Sequence, residues 1–99
     1  MTQISLTPEG VLSLSGILDY RTGPALREQG RKLIQSVDKT ELRLDCSAVE
    51  KSSSVGIALV LAFMRDAQHM NKTLVVGELP LDMQQIAHVC ELTPLLSPQ

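Results

Sequence analysis

Alternating apolar and polar residues near the N-terminus predict a β-hairpin. Residues 4–6 alternate weakly and lead into Pro8-Glu9-Gly10, which is a turn signal. Residues 11–16 then alternate in part, as a half-buried strand does. The two segments are therefore predicted to pair as a hairpin.

Helical periodicity follows this hairpin. Thr22-Gly23-Pro24 combines a threonine cap with a proline in the first turn, which predicts a helix start. The helix is predicted to end over residues 36–39. Apolar or small residues at helical spacing define one stripe that we expect to be buried: Leu26, Gly30, Leu33, Ile34 and Val37.

Two further strands are predicted by different patterns. Residues 41–45 alternate, with Leu42 and Leu44 on one face, and this strand is predicted to end at Asp45. Residues 73–77 form a short apolar run without alternation. Such a run is typical of a strand in the middle of a covered sheet.

Two more helices complete the pattern. One is predicted from about Ser54 to Met70, and its first ten residues are apolar almost all round. A helix of this kind is either wholly buried or has a second face for a partner, and the sequence leaves both interpretations open. The other runs from Leu79 to about Glu91 and stops before Pro94, with a predicted stripe of Met83, Ile86, Ala87 and Cys90.

The order β-β-α-β-α-β-α places the chain in the α/β class. Strands that alternate with helices imply parallel pairs, right-handed crossovers and helices packed on a sheet. With the N-terminal hairpin, this predicts a mixed four-stranded sheet with three main helices. The 99 residues are predicted to form a single domain, residues 1–99, with one core.

Composition excludes some classes of function. Aromatic residues make up 2% and the net charge is −2, so neither base stacking nor a basic footprint for nucleic acid is expected. Residues 1–5 show no signal-peptide pattern, and the longest uncharged apolar block, 55–64, is too short to span a bilayer. A cytoplasmic location is therefore predicted.

Metal and cofactor sites are not predicted. Cys46 and Cys90 lack the spacing of a metal site, and both are interpreted as small buried thiols, although a single disulfide stays open. The six glycines are scattered, so there is no glycine-rich phosphate loop. There is no GxSxG elbow either, and no catalytic residue is predicted.

Three consecutive serines, Ser52, Ser53 and Ser54, precede the apolar helix. Ser52 is interpreted as loop and Ser54 as the helix cap. The positive end of the helix would also favour a phosphate on Ser54 or an acidic group of a partner. Gly56 costs helix stability, which indicates that something approaches the backbone closely.

The loop before the first helix contains Asp19 and Tyr20. One interpretation is turn chemistry and capping. The other is that the two residues line the same edge of the sheet as Ser54 and, together with Ser53, Val55 and Gly56, form one partner-binding surface.

Two motifs resemble the STAS domain family, whose members include sulphate-transporter domains and anti-sigma-factor antagonists. The segment "LSLSGILDYRTGPALREQ" is similar to the family's L-x-G-x-L-D pattern, and residues 45–57 are similar to its signature D-L-S-x-V-x-x-x-D-S/T-S/G-G-L. In anti-sigma-factor antagonists the hydroxyl after the signature Asp is phosphorylated by a partner kinase. That hydroxyl corresponds to Ser54, while Ser53 replaces the acid and Val55 departs from the pattern.

The small stand-alone chain, the aliphatic helix "VGIALVLAFMRDAQ" and the segment "LVVGELPLDMQQIAHVCEL" look more similar to the MlaB-type subunit of the Mla phospholipid-transport ABC system. The resemblance implies a non-catalytic adaptor that binds the ATPase subunit and, through it, a permease and a substrate-binding subunit. It also implies a location peripheral to the inner membrane and a role in outer-membrane lipid asymmetry. The alternative is an anti-sigma-factor antagonist switched by phosphorylation at Ser54.

Overall fold

The computed structural model describes residues 2–96, which form four strands and four helices. Their order confirms the predicted β-β-α-β-α-β-α succession, to which a short C-terminal helix is added. The elements are β1 Gln3–Leu6, β2 Val11–Leu18, α1 Gly23–Ser36, β3 Glu41–Ser52, α2 Ser54–His69, β4 Thr73–Val76, α3 Leu81–Val89 and α4 Thr93–Leu96.

The strands lie side by side in the order β1-β2-β3-β4. β1 and β2 pair antiparallel, which confirms the predicted hairpin, and Gly10 supplies the positive φ of 94° in its turn. β2, β3 and β4 are mutually parallel, so their carboxyl ends share one edge of the sheet. The loop after β2 and the start of α2 therefore lie at the same edge.

β4 is an edge strand, so its predicted place in the middle of the sheet is wrong. Leu74 and Val76 are buried, whereas Val75 between them is only half-buried. The apolar run therefore follows from partial cover of its second face, not from a central position.

β3 extends to Ser52, so the predicted end at Asp45 is wrong. Two register shifts against β2 each place an extra residue in β3, between the partners of Ser13 and Ser15 and again between those of Gly16 and Ile17. A bulge moves the following residues to the other face, and strict alternation is lost after Ser47. The buried side chains of β3 record these shifts: Leu42, Leu44, Cys46, Val49 and Ser52.

Aliphatic side chains on one face of the sheet and on α1 and α2 form the core. Phe63 of α2 is fully buried, and a Cβ atom at Gly30 of α1 would overlap its ring. The predicted stripe of α1 therefore includes Gly30 because α1 and α2 approach closely there.

α2 has one buried face and one partly exposed face, so the rest of the chain covers only part of its apolar surface. Its inner face is buried and centres on Ile57, Val60 and Phe63. Along the outer face Ala58 is exposed, and the following apolar residues are only half-buried: Leu61, Ala62 and Met64.

Polar contacts join α1 to the C-terminal half of α2. Arg27 forms an ion pair with Asp66, which is only 8% exposed. Lys72 Nζ donates hydrogen bonds to the carbonyl oxygens of Ile34, at 2.6 Å, and Val37, at 2.7 Å. These two carbonyls lie at the C-terminal end of α1, where a cation is favoured by the helix dipole.

The two cysteines differ, and both are free thiols. Cys46 is buried as predicted, and desolvation followed by the nearby Asp45 charge raises its pKa to about 12. Cys90 is exposed, so the prediction that it is buried is wrong. It lies just beyond α3, which ends at Val89 and not near Glu91.

Across residues 2–96, every helix is too short or too polar to cross a bilayer.

Candidate partner-binding site at the carboxyl edge of the sheet

The end of β2, the loop after it and the first turn of α2 meet at one point. The carbonyl oxygen of Leu18 accepts hydrogen bonds from Ser53 N, at 2.9 Å, and Ser53 Oγ, at 3.3 Å. Leu18 is followed directly by Asp19 and Tyr20. The two predicted segments therefore lie side by side, and their binding to a partner stays a prediction.

Ser53, not Ser54, caps α2. Its hydroxyl oxygen accepts a hydrogen bond from Val55 N at 3.2 Å, which satisfies one free donor of the first turn. Ser54 is the first helical residue, and its side chain is exposed. Within residues 2–96, no hydrogen bond engages the Ser54 hydroxyl. The prediction that Ser54 is the cap is wrong because the helix begins one residue after its capping group.

Ser52 is a buried strand residue, so its interpretation as loop is wrong. Its hydroxyl donates to the carbonyl oxygen of Ser53 at 2.8 Å and lies against Gly56, where a Cβ atom would overlap the hydroxyl oxygen. The predicted close approach to Gly56 is confirmed, and the approaching group is the Ser52 side chain of the same chain.

Polar groups of the loop after β2 form hydrogen bonds with one another. Asp19 Oδ2 accepts from Arg21 Nη2 at 3.0 Å, and Oδ1 accepts from the backbone N–H groups of Arg21, at 2.9 Å, and Thr22, at 3.3 Å. The Arg21 side chain, followed by these backbone donors, lowers the pKa of Asp19 against the opposing desolvation. The predicted turn chemistry of Asp19 is thereby observed.

Thr22 precedes α1 but its side chain does not cap the helix, contrary to the prediction. Its hydroxyl donates to the Ile17 carbonyl oxygen at 2.9 Å and accepts from Asp19 N at 3.1 Å. These two bonds hold the loop in shape instead.

The first turns of α1 and α2 are in contact. A Cβ atom at Gly23 would lie 2.8 Å from Val55 Cγ1, so a side chain at this position would force Val55 to shift. Ser54 is exposed at this edge, and two large apolar side chains near the end of β2 are exposed as well, Tyr20 at 77% and Ile17 at 44%. The Tyr20 ring lies 5.9 Å from the Arg21 guanidinium carbon, measured to the ring centroid.

No base forms a hydrogen bond with the Ser54 hydroxyl among residues 2–96. His69 is the last residue of α2, about 22 Å from Ser54 along the helix axis. Within the same residues no three His, Cys, Asp or Glu side chains are grouped so that they could hold a metal ion. Among the described residues, the Ser54 hydroxyl therefore lacks the hydrogen-bonded base of an activated serine nucleophile.

Sequence reasoning missed the positioning contacts of Ser52, Thr22 and Gly23. The sequence contains a signal for the contact of Gly23 with Val55 and for that of Gly56 with Ser52. Each glycine occupies the first turn of a helix, where it has a lower helix propensity than other residues except proline. Which side chain each glycine accommodates depends on tertiary packing.

Comparison with known families identifies the domain. The model of a family described as "Mlab, STAS domain" matches residues 2–97. The chain belongs to this STAS domain family.

Solved structures that share the fold include anti-sigma factor antagonists. Unphosphorylated SpoIIAA matches with a TM-score of 0.73 and 17% identity over 95% of this chain and 84% of that one. An anti-sigma factor antagonist from Mycobacterium paratuberculosis matches at 0.72 and 24% identity over 98% and 82%. The Bacillus cell fate determinant SpoIIAA in its phosphorylated form matches at 0.66 and 23% identity over 95% and 86%. At these identities the structures show the shared fold.

Proposed function

We propose that this STAS domain is a non-catalytic adaptor that binds the ATPase subunit of an Mla-type phospholipid-transport ABC complex. Through the ATPase it would join a permease and a substrate-binding subunit and support assembly and activity at the cytoplasmic side of the inner membrane. The role in the cell would be the maintenance of outer-membrane lipid asymmetry. The family match to MlaB-like STAS domains supports this choice of partner.

The observation that most supports an adaptor is the exposed Ser54 hydroxyl, which has no hydrogen-bond partner among residues 2–96. It stands at the positive end of α2, where backbone N–H groups favour an acceptor or an acidic group. The exposed Tyr20 side chain and the partly exposed face of α2 add apolar area. Polar donors bordered by apolar side chains are the usual composition of a protein–protein interface.

The proposal is tested by co-purification with the ABC ATPase. Ser54→Arg places a bulky cation at the centre of the proposed surface and at the unfavourable end of α2, so we expect at least tenfold less ATPase recovered. Ser36→Arg is the matched control, because Ser36 is an exposed helix serine at the far end of α1. Equal recovery with wild type and Ser54→Arg would reject this surface, and no recovery with wild type would reject the ATPase as partner.

A second candidate function is a switch in which Ser54 is phosphorylated. The observation in its favour is the exposed hydroxyl in the first turn of α2, where the helix dipole stabilises a phosphate. Intact-mass measurement of protein from its native cell distinguishes the two functions. A mass increase of one phosphate that Ser54→Ala abolishes would favour the switch, and an unmodified mass under all growth conditions would favour the adaptor.

A further inference from the structure

We infer that Ser52 and Gly56 are positioning residues for partner binding, which set where the exposed first turn of α2 stands against the end of β2. This inference rests on the proposed function, since it concerns the same surface. Neither residue is the exposed serine at its centre. Both lie beneath the surface and are buried.

The first step is the packing of the two residues. Ser52 is the last residue of β3, and only Ser53 separates it from α2. A Cβ atom at Gly56 would overlap Ser52 Oγ and would lie 3.2 Å from both Ser52 Cβ and Leu18 Cδ1. The absence of a side chain at Gly56 therefore lets the helix turn lie directly on the strand end.

The second step is the hydrogen-bond path that joins this contact to the surface. The Ser53 carbonyl oxygen accepts from Ser52 Oγ at 2.8 Å and from Gly56 N at 3.0 Å. Ser53 N in turn donates to the Leu18 carbonyl oxygen at 2.9 Å. Displacement of Ser52 thus moves the peptide that anchors the first turn, and with it the direction of Ser54.

The third step separates positioning from folding. In a helix, Ala has a higher intrinsic propensity than Gly, so Gly56→Ala gains local helix stability while it loses the close fit to Ser52. In the free energy of unfolding, the gain in helix propensity and the loss of the close fit oppose each other. In partner binding only the lost fit matters, and it lowers the affinity. The reason is that a partner needs Ser54, Tyr20 and Val55 in their present arrangement.

The experiment measures the dissociation constant for the ABC ATPase by calorimetric titration, with the melting temperature of each variant. We expect Gly56→Ala to bind at least tenfold more weakly, with little change in melting temperature. The double variant Ser52→Gly/Gly56→Ala removes the obstructing hydroxyl and should bind more tightly than Gly56→Ala. It should still bind more weakly than wild type, because it also loses the hydrogen bond from Ser52 Oγ to the Ser53 carbonyl oxygen. Gly56→Ala that binds as wild type does, or a double variant no better than Gly56→Ala, would overturn the inference.

Ser52→Thr addresses the same contact from the strand side if Gly56→Ala does not fold. The added methyl group suits a strand and crowds Gly56, so weaker binding by a folded protein is expected. A folded Ser52→Thr with wild-type affinity would also overturn the inference. Failure of wild type to bind the ATPase would reject both proposals, whereas sensitivity to Ser54→Arg alone would leave the proposed function in place.

Discussion

The two ends of α2 are held in different ways. At the C-terminal end, Asp66 pairs with Arg27, and Lys72 just beyond the helix donates to two carbonyls of α1. At the N-terminal end, Ser53 caps the helix and Ser54 faces solvent with its hydroxyl free of contacts to residues 2–96. The C-terminal end of α2 forms its polar contacts within the domain. The N-terminal end leaves polar and apolar groups exposed, where the proposed partner would bind.

This difference separates stability from recognition along a single helix. Substitutions at the C-terminal end should change the free energy of unfolding and leave partner affinity alone. Substitutions of exposed groups at the N-terminal end should do the opposite. The following predictions test this separation.

Lys72→Met should have the largest effect on stability. The change removes two charged hydrogen bonds to the carbonyls of Ile34 and Val37, which should cost about 1–3 kcal/mol of unfolding free energy in urea titrations. Affinity for the ATPase should stay the same. Lys32→Met is the matched control, because Lys32 is an exposed lysine on α1 and its loss should cost less than about 0.5 kcal/mol. Equal losses for the two variants would contradict the capping role of Lys72.

Adjacent serines at the N-terminal end should respond differently to alanine. Ser53→Ala removes the cap of α2 and should cost about 1 kcal/mol of unfolding free energy. Ser54→Ala should change the unfolding free energy by less than about 0.5 kcal/mol, because the side chain is exposed. Chemical denaturation of the two variants checks this, and a larger loss for Ser54→Ala would reverse the assignment of the cap.

Asp19→Asn should have the smallest effect, which is present near neutral pH and disappears at acid pH. The folded protein lowers the pKa of Asp19, so the stabilising contribution is present above the unfolded pKa, about 3.9, and is lost as pH falls through the folded pKa. Unfolding curves between pH 2 and 7 should therefore converge for wild type and variant at the acid end. If the difference in unfolding free energy between wild type and variant grew towards low pH, the proposed stabilisation by ionised Asp19 would be wrong.

The loop residues show how far sequence reasoning reached at the candidate site. A shared edge for Asp19, Tyr20 and Ser54 was one of two interpretations of the sequence, and it agrees with the parallel pairing of β2 and β3, which brings their carboxyl ends together. The roles of Ser52 and Ser53 were misassigned. Three identical side chains in a row differ only in where the strand stops and the helix starts, and no local pattern contains that information.

β3 shows how far sequence reasoning reached for the fold. Its first half was predicted because its alternation is intact, and its second half was lost because two bulges break the period against β2. Bulges arise from pairing with residues some 30 positions away in the chain, which periodicity within one segment does not encode.

The sequence by itself determined the α/β class, the order of elements, the N-terminal hairpin and the family, since each depends on local periodicity or on short motifs. Only the tertiary structure decided the different roles of the three serines: Ser52 is buried, Ser53 caps α2 and Ser54 faces outward. It also decided that one face of α2 is partly exposed. These outcomes depend on the Leu18 carbonyl, the missing side chain of Gly56 and the register of β3. The physical reason is that capping, burial and exposure are set by contacts between distant segments, whereas helix and strand periods are properties of the segments themselves.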